Sequence, residues 1–161
     1  MKTTRPKKVL IALDFDPTAR KVAEAGYLLG KSMDAEVTLL HVVADPMHYN
    51  AYKHFTVMGF SGYDDTVPLI MDSTKELKAE SLKFLEKSKH HLADPKIQIL
   101  VKEGDVAESI LETAKKIKAD IIILGSHSQK WLENILMGSV AEKVLKLSSI
   151  PLFIIPTKKQ N

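Results

Sequence analysis

Ile121-Ile-Ile-Leu-Gly-Ser-His-Ser-Gln-Lys-Trp-Leu-Glu-Asn-Ile-Leu-Met-Gly-Ser-Val-Ala-Glu-Lys-Val-Leu145 is the stretch whose reading decides the fold. Four successive apolar, mostly β-branched residues, Ile121 to Leu124, suit a parallel strand covered on both faces. Gly125, at the carboxyl end of that strand, can take backbone angles closed to other residues or let a ligand approach the main chain. Gly138 closes the loop, and a helix is expected from Val140. Ser139-x-x-Glu142 has the form of a capping box, which makes Ser139 the expected N-cap. Free N–H groups and the positive end of the helix dipole suit such a loop to phosphate.

The same reasoning extends outward along the chain. Lys8-Val-Leu-Ile-Ala-Leu13 is a short apolar run bounded by Asp14 and Pro17, hence a second buried strand. Asp16-Pro17 starts a helix, with Asp16 as N-cap and Pro17 at the first helical position. That helix is expected to reach about Met33, with Val22, Ala25, Leu29 and Met33 at helical spacing. Glu36 to Val43, Lys96 to Val101 and Leu152 to Ile155 read as the remaining strands. Ser73-x-x-Glu76 leads a long helix with Leu77, Ser81, Phe84, Leu85 and Ser88 on one stripe. Asp105-x-x-Glu108 imitates that box before Val106, Ile110, Leu111, Ala114 and Ile117. Strands alternating with helices predict an α/β protein, an open parallel sheet with helices on both faces. In such sheets ligands lie beyond the carboxyl ends of the strands, where the winding reverses.

At 161 residues one domain, 1–161, is expected. The 27 residues from Ala44 to Ile70 break the regularity. They form a long connection holding Tyr49, Tyr52, Phe55, Phe60 and Tyr63, half of the chain's aromatics, and connections of this length are usually functional. Zero cysteines exclude disulfides, thiolate metal sites and a cysteine nucleophile. No apolar run approaches the roughly 20 residues that span a bilayer, and the amino terminus lacks a secretory apolar core, so a cytoplasmic location without membrane insertion is expected. The net charge is +3, but Lys2, Arg5, Lys7, Lys8, Lys158 and Lys159 sit in terminal segments without acids. Setting those six aside from 23 leaves 17 basic against 20 acidic residues, which argues against nucleic acid as a partner.

Two well-known phosphate loops are absent. Gly30-Lys31 has no glycine five positions earlier, which excludes a P-loop, and Gly125 has no glycine at 127, which excludes the dinucleotide fingerprint. What is present is Gly-x-x-Ser-x₉-Gly-Ser, at Gly125, Ser128, Gly138 and Ser139. It resembles the nucleotide-binding signature of the universal stress protein family, Gly-x-x-Gly-x₉-Gly-[Ser/Thr], with Ser128 in place of the second glycine. Val9-Leu-Ile-Ala-Leu-Asp14, Leu39-Leu-His-Val42 and Ile150-Pro-Leu-Phe-Ile-Ile155 extend the resemblance over nearly the whole chain.

The resemblance implies a five-stranded sheet in the order 3-2-1-4-5, of the adenine nucleotide α-hydrolase-like type. It also implies a homodimer, formed through the last strand, 152–155. ATP, or AMP or ADP, is the implied ligand, with Asp14 and Val42 against adenine and ribose. Leu124 and Gly125 would shape the floor. Gly138, Ser139 and Val140 would offer N–H or hydroxyl donors to phosphates, and Ser128 would add a hydroxyl or, at positive φ, carry about 1–3 kcal/mol of strain. Asp14 could hold Mg²⁺ or Mn²⁺ through water; no direct metal ligands are assigned. The function this implies is that of an adenine-nucleotide-binding stress-response or regulatory protein.

Other side chains read more plainly. His41 alternates with Leu39 and Val43 and is expected as a satisfied core histidine. His90 and His91 fall on a solvated helix end with rings pointing apart, His127 and Lys130 on an exposed loop, and Trp131 as an anchor for that loop. No Gly-x-Ser-x-Gly elbow or His-Glu-x-x-His is present, so no catalytic residue is assigned and any ATP hydrolysis is expected to be slow. A nucleotide-independent interaction module is the alternative, favoured by Ser128. An ATP-using enzyme of the related fold is a third reading, against which stands the absence of Ser-Gly-Gly-x-Asp-Ser.

Overall fold

The innermost strand is built by its own alternation. In a computed structural model, which describes residues 5–44, 73–126 and 137–157, β1 (Lys8–Ala12) turns Val9 and Ile11 to one face and Leu10 to the other, all three fully buried. β2 (Glu36–Ala44) pairs parallel to it on one side and β4 (Ile121–Gly125) on the other, with Ile11 opposite both Leu39 and Ile123. β3 (Gln98–Gly104) lies beyond β2 and β5 (Leu152–Ile155) beyond β4, both parallel, which gives the expected order 3-2-1-4-5. Winding reverses between β1 and β4, so their carboxyl ends border the crevice of an open α/β sheet.

Four helices among the described residues cover the two faces. α1 (Ala19–Ser32) and α2 (Ser73–His91) pack on the face of Val9, Ile11, Leu39 and Ile123. α3 (Val106–Ile117) and α4 (Ser139–Leu147) pack on that of Leu10, Leu40, Ile122 and Leu124. α1 approaches the sheet through glycines. A Cβ at Gly26 would lie 2.9 Å from Ile11 Cδ1, and one at Gly30 would lie 2.8 Å from Val37 Cγ2. The buried stripe of α1 is therefore Ala19, Val22, Ala23, Gly26 and Gly30, while Ala25, Leu29 and Met33 flank it half-buried.

Several boundaries differ from expectation for physical reasons. α1 begins at Ala19, because the turn before it is tighter: the Ala19 N–H bonds the Asp16 carbonyl at 2.9 Å. Thr18, not Asp16, is the N-cap, with no side-chain capping bond, and Pro17 lies before the helix; the Asp16 carboxylate instead accepts from the Thr18 N–H at 2.7 Å and from the Thr18 hydroxyl in the preceding turn. β3 starts two residues later than Lys96, whose N–H is held in a turn by the Asp94 carboxylate at 2.9 Å, and runs on to Gly104 because pairing with β2 continues to Ala44. α2 begins at Ser73 itself. Its buried stripe is Ser81 and Leu85 with Phe84 and Ser88 beside them, while Leu77 is exposed. Ser81 tolerates full burial by donating its hydroxyl to the Leu77 carbonyl at 2.6 Å. Asp105 is the N-cap of α3 as expected, its carboxylate accepting from the Glu108 N–H at 2.9 Å.

The amino end of the sheet is closed by one carboxylate. Asp120 accepts from the Lys8 N–H at 2.8 Å and from both arms of the Arg5 guanidinium at 3.0 and 2.8 Å. The Lys8 N–H, then the Arg5 fork, hold the Asp120 carboxyl below its usual range. No described helix is long and apolar enough to cross a membrane. The 44–70 connection lies outside the described residues beyond Ala44, as do His127, Ser128, Lys130 and Trp131.

Candidate functional site

At the switch point the two strand ends are stitched to their neighbours by backbone and by one serine. β1 ends at Ala12, and the next residue, Leu13, donates its N–H to the Leu40 carbonyl at 2.8 Å. β1 and β4 are paired as far as Ile11 opposite Ile123, and Asp14 follows beyond the end of β1. Asp14 is exposed there. Val42 and Leu124 lie on the face of α3 and α4 and are buried in one cluster with Ala107 and Ala141.

Ser126 joins three segments. Its N–H donates to the Ile155 carbonyl at 2.9 Å, its hydroxyl accepts from the Thr157 N–H at 3.1 Å, and its carbonyl accepts from the Gly138 N–H at 3.2 Å. The last of these pins the two ends of the 127–136 loop together at the mouth of the sheet. Sequence reasoning passed over Ser126; the signal was a small hydroxyl residue directly after the strand-ending glycine.

Gly138, not Ser139, is the N-cap of α4. Its backbone is extended (φ −72°, ψ 160°), its carbonyl accepts from the Glu142 N–H at 2.9 Å, and Ser139 is already the first helical residue. The expected capping box is not formed: no side-chain bond caps α4, and Glu142 instead pairs with Lys146 at 2.7 Å. Because the Gly138 N–H is used by Ser126, the first-turn donors without an intrahelical carbonyl are those of Ser139, Val140 and Ala141. Ser139 is exposed and Val140 half-buried.

The glycines do not serve as backbone hinges here. Gly125 is a regular strand residue opposite Ile155, and among the described glycines only Gly104 has a positive φ, +133°. Neither Gly125 nor Gly138 therefore needs glycine for its backbone angles, and what the missing Cβ gives them is room beside the main chain.

Charges around the mouth are held in pairs. Lys143, one turn into α4, reaches Asp105 at 3.1 Å and Glu108 at 3.5 Å, tying α4 to the start of α3; the Asp105 hydrogen bond raises its pKa above the usual lysine value. His41 is buried in β2 and bonds the Leu13 carbonyl through Nδ1 at 2.7 Å, as a satisfied core histidine should. Burial pushes its pKa down, opposed by that bond and by Asp14. His90 and His91 lie exposed in the last turn of α2, and His91 Nε2 meets Glu24 at 2.6 Å. No group of three His, Asp or Glu able to hold a metal occurs among the described residues.

Comparison with known proteins gives the family and the fold. Residues 6–156 match the model of the universal stress protein family. The stress response protein NhaX of Bacillus subtilis is 32% identical over 165 residues, covering 92% of this chain and 96% of its own. The solved structure of MJ0577, a protein that is called a universal stress protein of Methanocaldococcus jannaschii, superposes with a TM-score of 0.70 at 26% identity, covering 98% of this chain and all of that one. A universal stress protein solved in complex with cAMP superposes with a TM-score of 0.64 at 14% identity, covering 96% of this chain and all of that one.

Proposed function

This chain belongs to the universal stress protein family, and we propose that it binds an adenine nucleotide, ATP in the first instance, at the mouth between β1 and β4. The observation that carries the reading is the Gly138 N–H to Ser126 carbonyl bond at 3.2 Å, which holds both ends of the glycine-bounded loop at the switch point. Beside that closure stand the donors an anion needs. The N–H groups of Ser139, Val140 and Ala141 lack intrahelical partners, and the exposed Ser139 hydroxyl sits at the positive end of the α4 dipole. The donor set therefore fits a phosphate chain. The Asp14 carboxylate, an acceptor beyond the end of β1, suits ribose hydroxyls, and Val42 and Leu124 supply the apolar floor for a base. A relative of the same fold holds cAMP, which supports adenine as the base.

In this reading the chain binds and orients the nucleotide without activating water. No general base is assigned, and any hydrolysis is slow. Occupancy alters a partner surface, which makes the protein a regulatory or stress-response element rather than an enzyme. Asp14 is the residue that would hold Mg²⁺ or Mn²⁺ through water, and such an ion would offset phosphate charge there. The chain works as one domain and as a homodimer through β5, whose edge leaves Phe153 exposed.

Ser128 favours one rival, a nucleotide-independent interaction module. Mass spectrometry of the small molecule released by denaturing the purified protein, with ATP titration of the native chain and Ser128→Gly, decides between them. Released adenine nucleotide, or micromolar ATP affinity strengthened by Ser128→Gly, is expected. No ATP affinity in either form rejects the nucleotide reading.

A further inference from the structure

We propose that His41 and Phe15 clamp the residues on either side of Asp14 and so fix its carboxylate at the crevice, making His41 a positioning residue for nucleotide binding. This rests on the nucleotide reading above and assigns to two side chains outside the crevice a part in it.

The geometry brackets one residue from both directions. Leu13, just before Asp14, offers its carbonyl to His41 Nδ1 at 2.7 Å, and since a carbonyl only accepts, the ring proton sits on Nδ1. Phe15, just after Asp14, lays its ring against the same imidazole, with centroids 4.4 Å apart and planes at 54°. Phe84 of α2 closes the cluster from outside, 4.8 Å from Phe15 and 5.9 Å from His41. A single buried side chain in β2 therefore touches both neighbours of Asp14, in the stretch between β1 and α1, where Leu13 is tied to β2 also by its N–H on the Leu40 carbonyl.

The two contacts differ in kind, and together they fix an orientation. The hydrogen bond holds the Leu13 carbonyl and the tilted ring pair holds Phe15, so Asp14 is bracketed on both sides. Phe15 is 51% exposed, and its ring contacts among the described residues are with His41 and Phe84. Burial keeps the imidazole neutral, which preserves the single Nδ1 donor; Asp14 is the charged group that acts on it, and Phe84 is what α2 presents to it.

The test is ATP titration by calorimetry on the full chain, comparing native protein, His41→Phe, Phe15→Ala, Asp14→Asn, and each clamp variant combined with Asp14→Asn. His41→Phe keeps a ring and removes the donor; Phe15→Ala removes an exposed ring. Each single change is expected to weaken ATP by about tenfold, the order of one lost hydrogen bond or ring contact. Neither clamp change should weaken it further once Asp14 is Asn, because the clamp acts only through that carboxylate. A purely structural role would lower the melting temperature and leave affinity alone, or add its loss to that of Asp14→Asn, and either result overturns the inference. Should His41→Phe fail to fold, the Phe15→Ala pair decides alone. If Asp14→Asn weakens ATP while both clamp variants bind like native, the clamp fails and the nucleotide reading stands; if native protein binds no ATP, both fail.

Discussion

Gly26→Ala sets two opposing effects against each other at the centre of the fold. Alanine favours the helical backbone of α1 by about 0.5–1 kcal/mol over glycine. Its methyl, however, would lie 2.9 Å from Ile11 Cδ1, 3.2 Å from Ile11 Cγ1 and 3.2 Å from Ile123 Cγ2. Carbon pairs prefer about 3.5–4.0 Å, so three contacts are compressed at once. Ile11 Cδ1 can swing aside. Ile123 Cγ2 is bonded directly to its Cβ in a fully buried strand residue and cannot. Overpacking of this kind costs about 1–3 kcal/mol, so a net loss of about 1–2 kcal/mol is expected. For a chain of this size that lowers the melting temperature by about 2–8 °C. Urea unfolding followed by circular dichroism measures it, together with Ile11→Val and the double variant. Because Ile11→Val deletes the Cδ1 that stands nearest, the double variant should be more stable than the two single losses added together. An alanine variant as stable as native, or strict additivity, would refute the close-approach argument.

Two further outcomes follow from named contacts. Asp105→Ala removes the cap of α3 and the partner of Lys143, and should cost about 1–2 kcal/mol in urea unfolding, most of it recovered by Asp105→Asn, which keeps the cap. Asp120 has a folded-state pKa held below 3.8, so its contribution is complete above that value and lost as pH falls through the lower, folded one. Asp120→Asn should therefore be less stable than native at pH 7, with the gap in chemical-denaturation midpoints closing as pH is lowered through the depressed folded-state pKa. A gap of the same size at both ends of that range counts against the carboxylate as its source.

The sheet was legible because burial on both faces writes apolar runs directly into the chain. Val9 to Ile11 and Ile121 to Leu124 could belong only to inner strands, and they do. Capping was legible where one side chain decides it, at Asp105, and misleading where the backbone does. Gly138 caps α4 by placing its carbonyl, and Ser139 matched the pattern without performing the role. Gly26 and Gly30 were passed over in favour of Ala25 and Leu29, since periodicity counts apolar bulk and the sheet here selects for its absence. The β3 boundary was misplaced because Lys102 and Glu103 look like a strand end, although an edge strand can carry charged side chains along its length. In the candidate site, Gly125 and Gly138 were marked by type and spacing and Asp14 by the family resemblance, whereas Ser126 acts mainly through its main-chain groups, which no side-chain pattern announces.

Ser126 has a bearing on how such a chain can change over generations. With its N–H, hydroxyl and carbonyl all committed, it works like the clasp of a necklace: the beads between 127 and 136 can be exchanged, added or dropped while the clasp stays shut. Closing a connection costs free energy that grows only slowly with its length, so a clasp of this kind accommodates connections of different length. What a lineage must keep, on this view, is one small hydroxyl residue after β4 and the three bonds it makes.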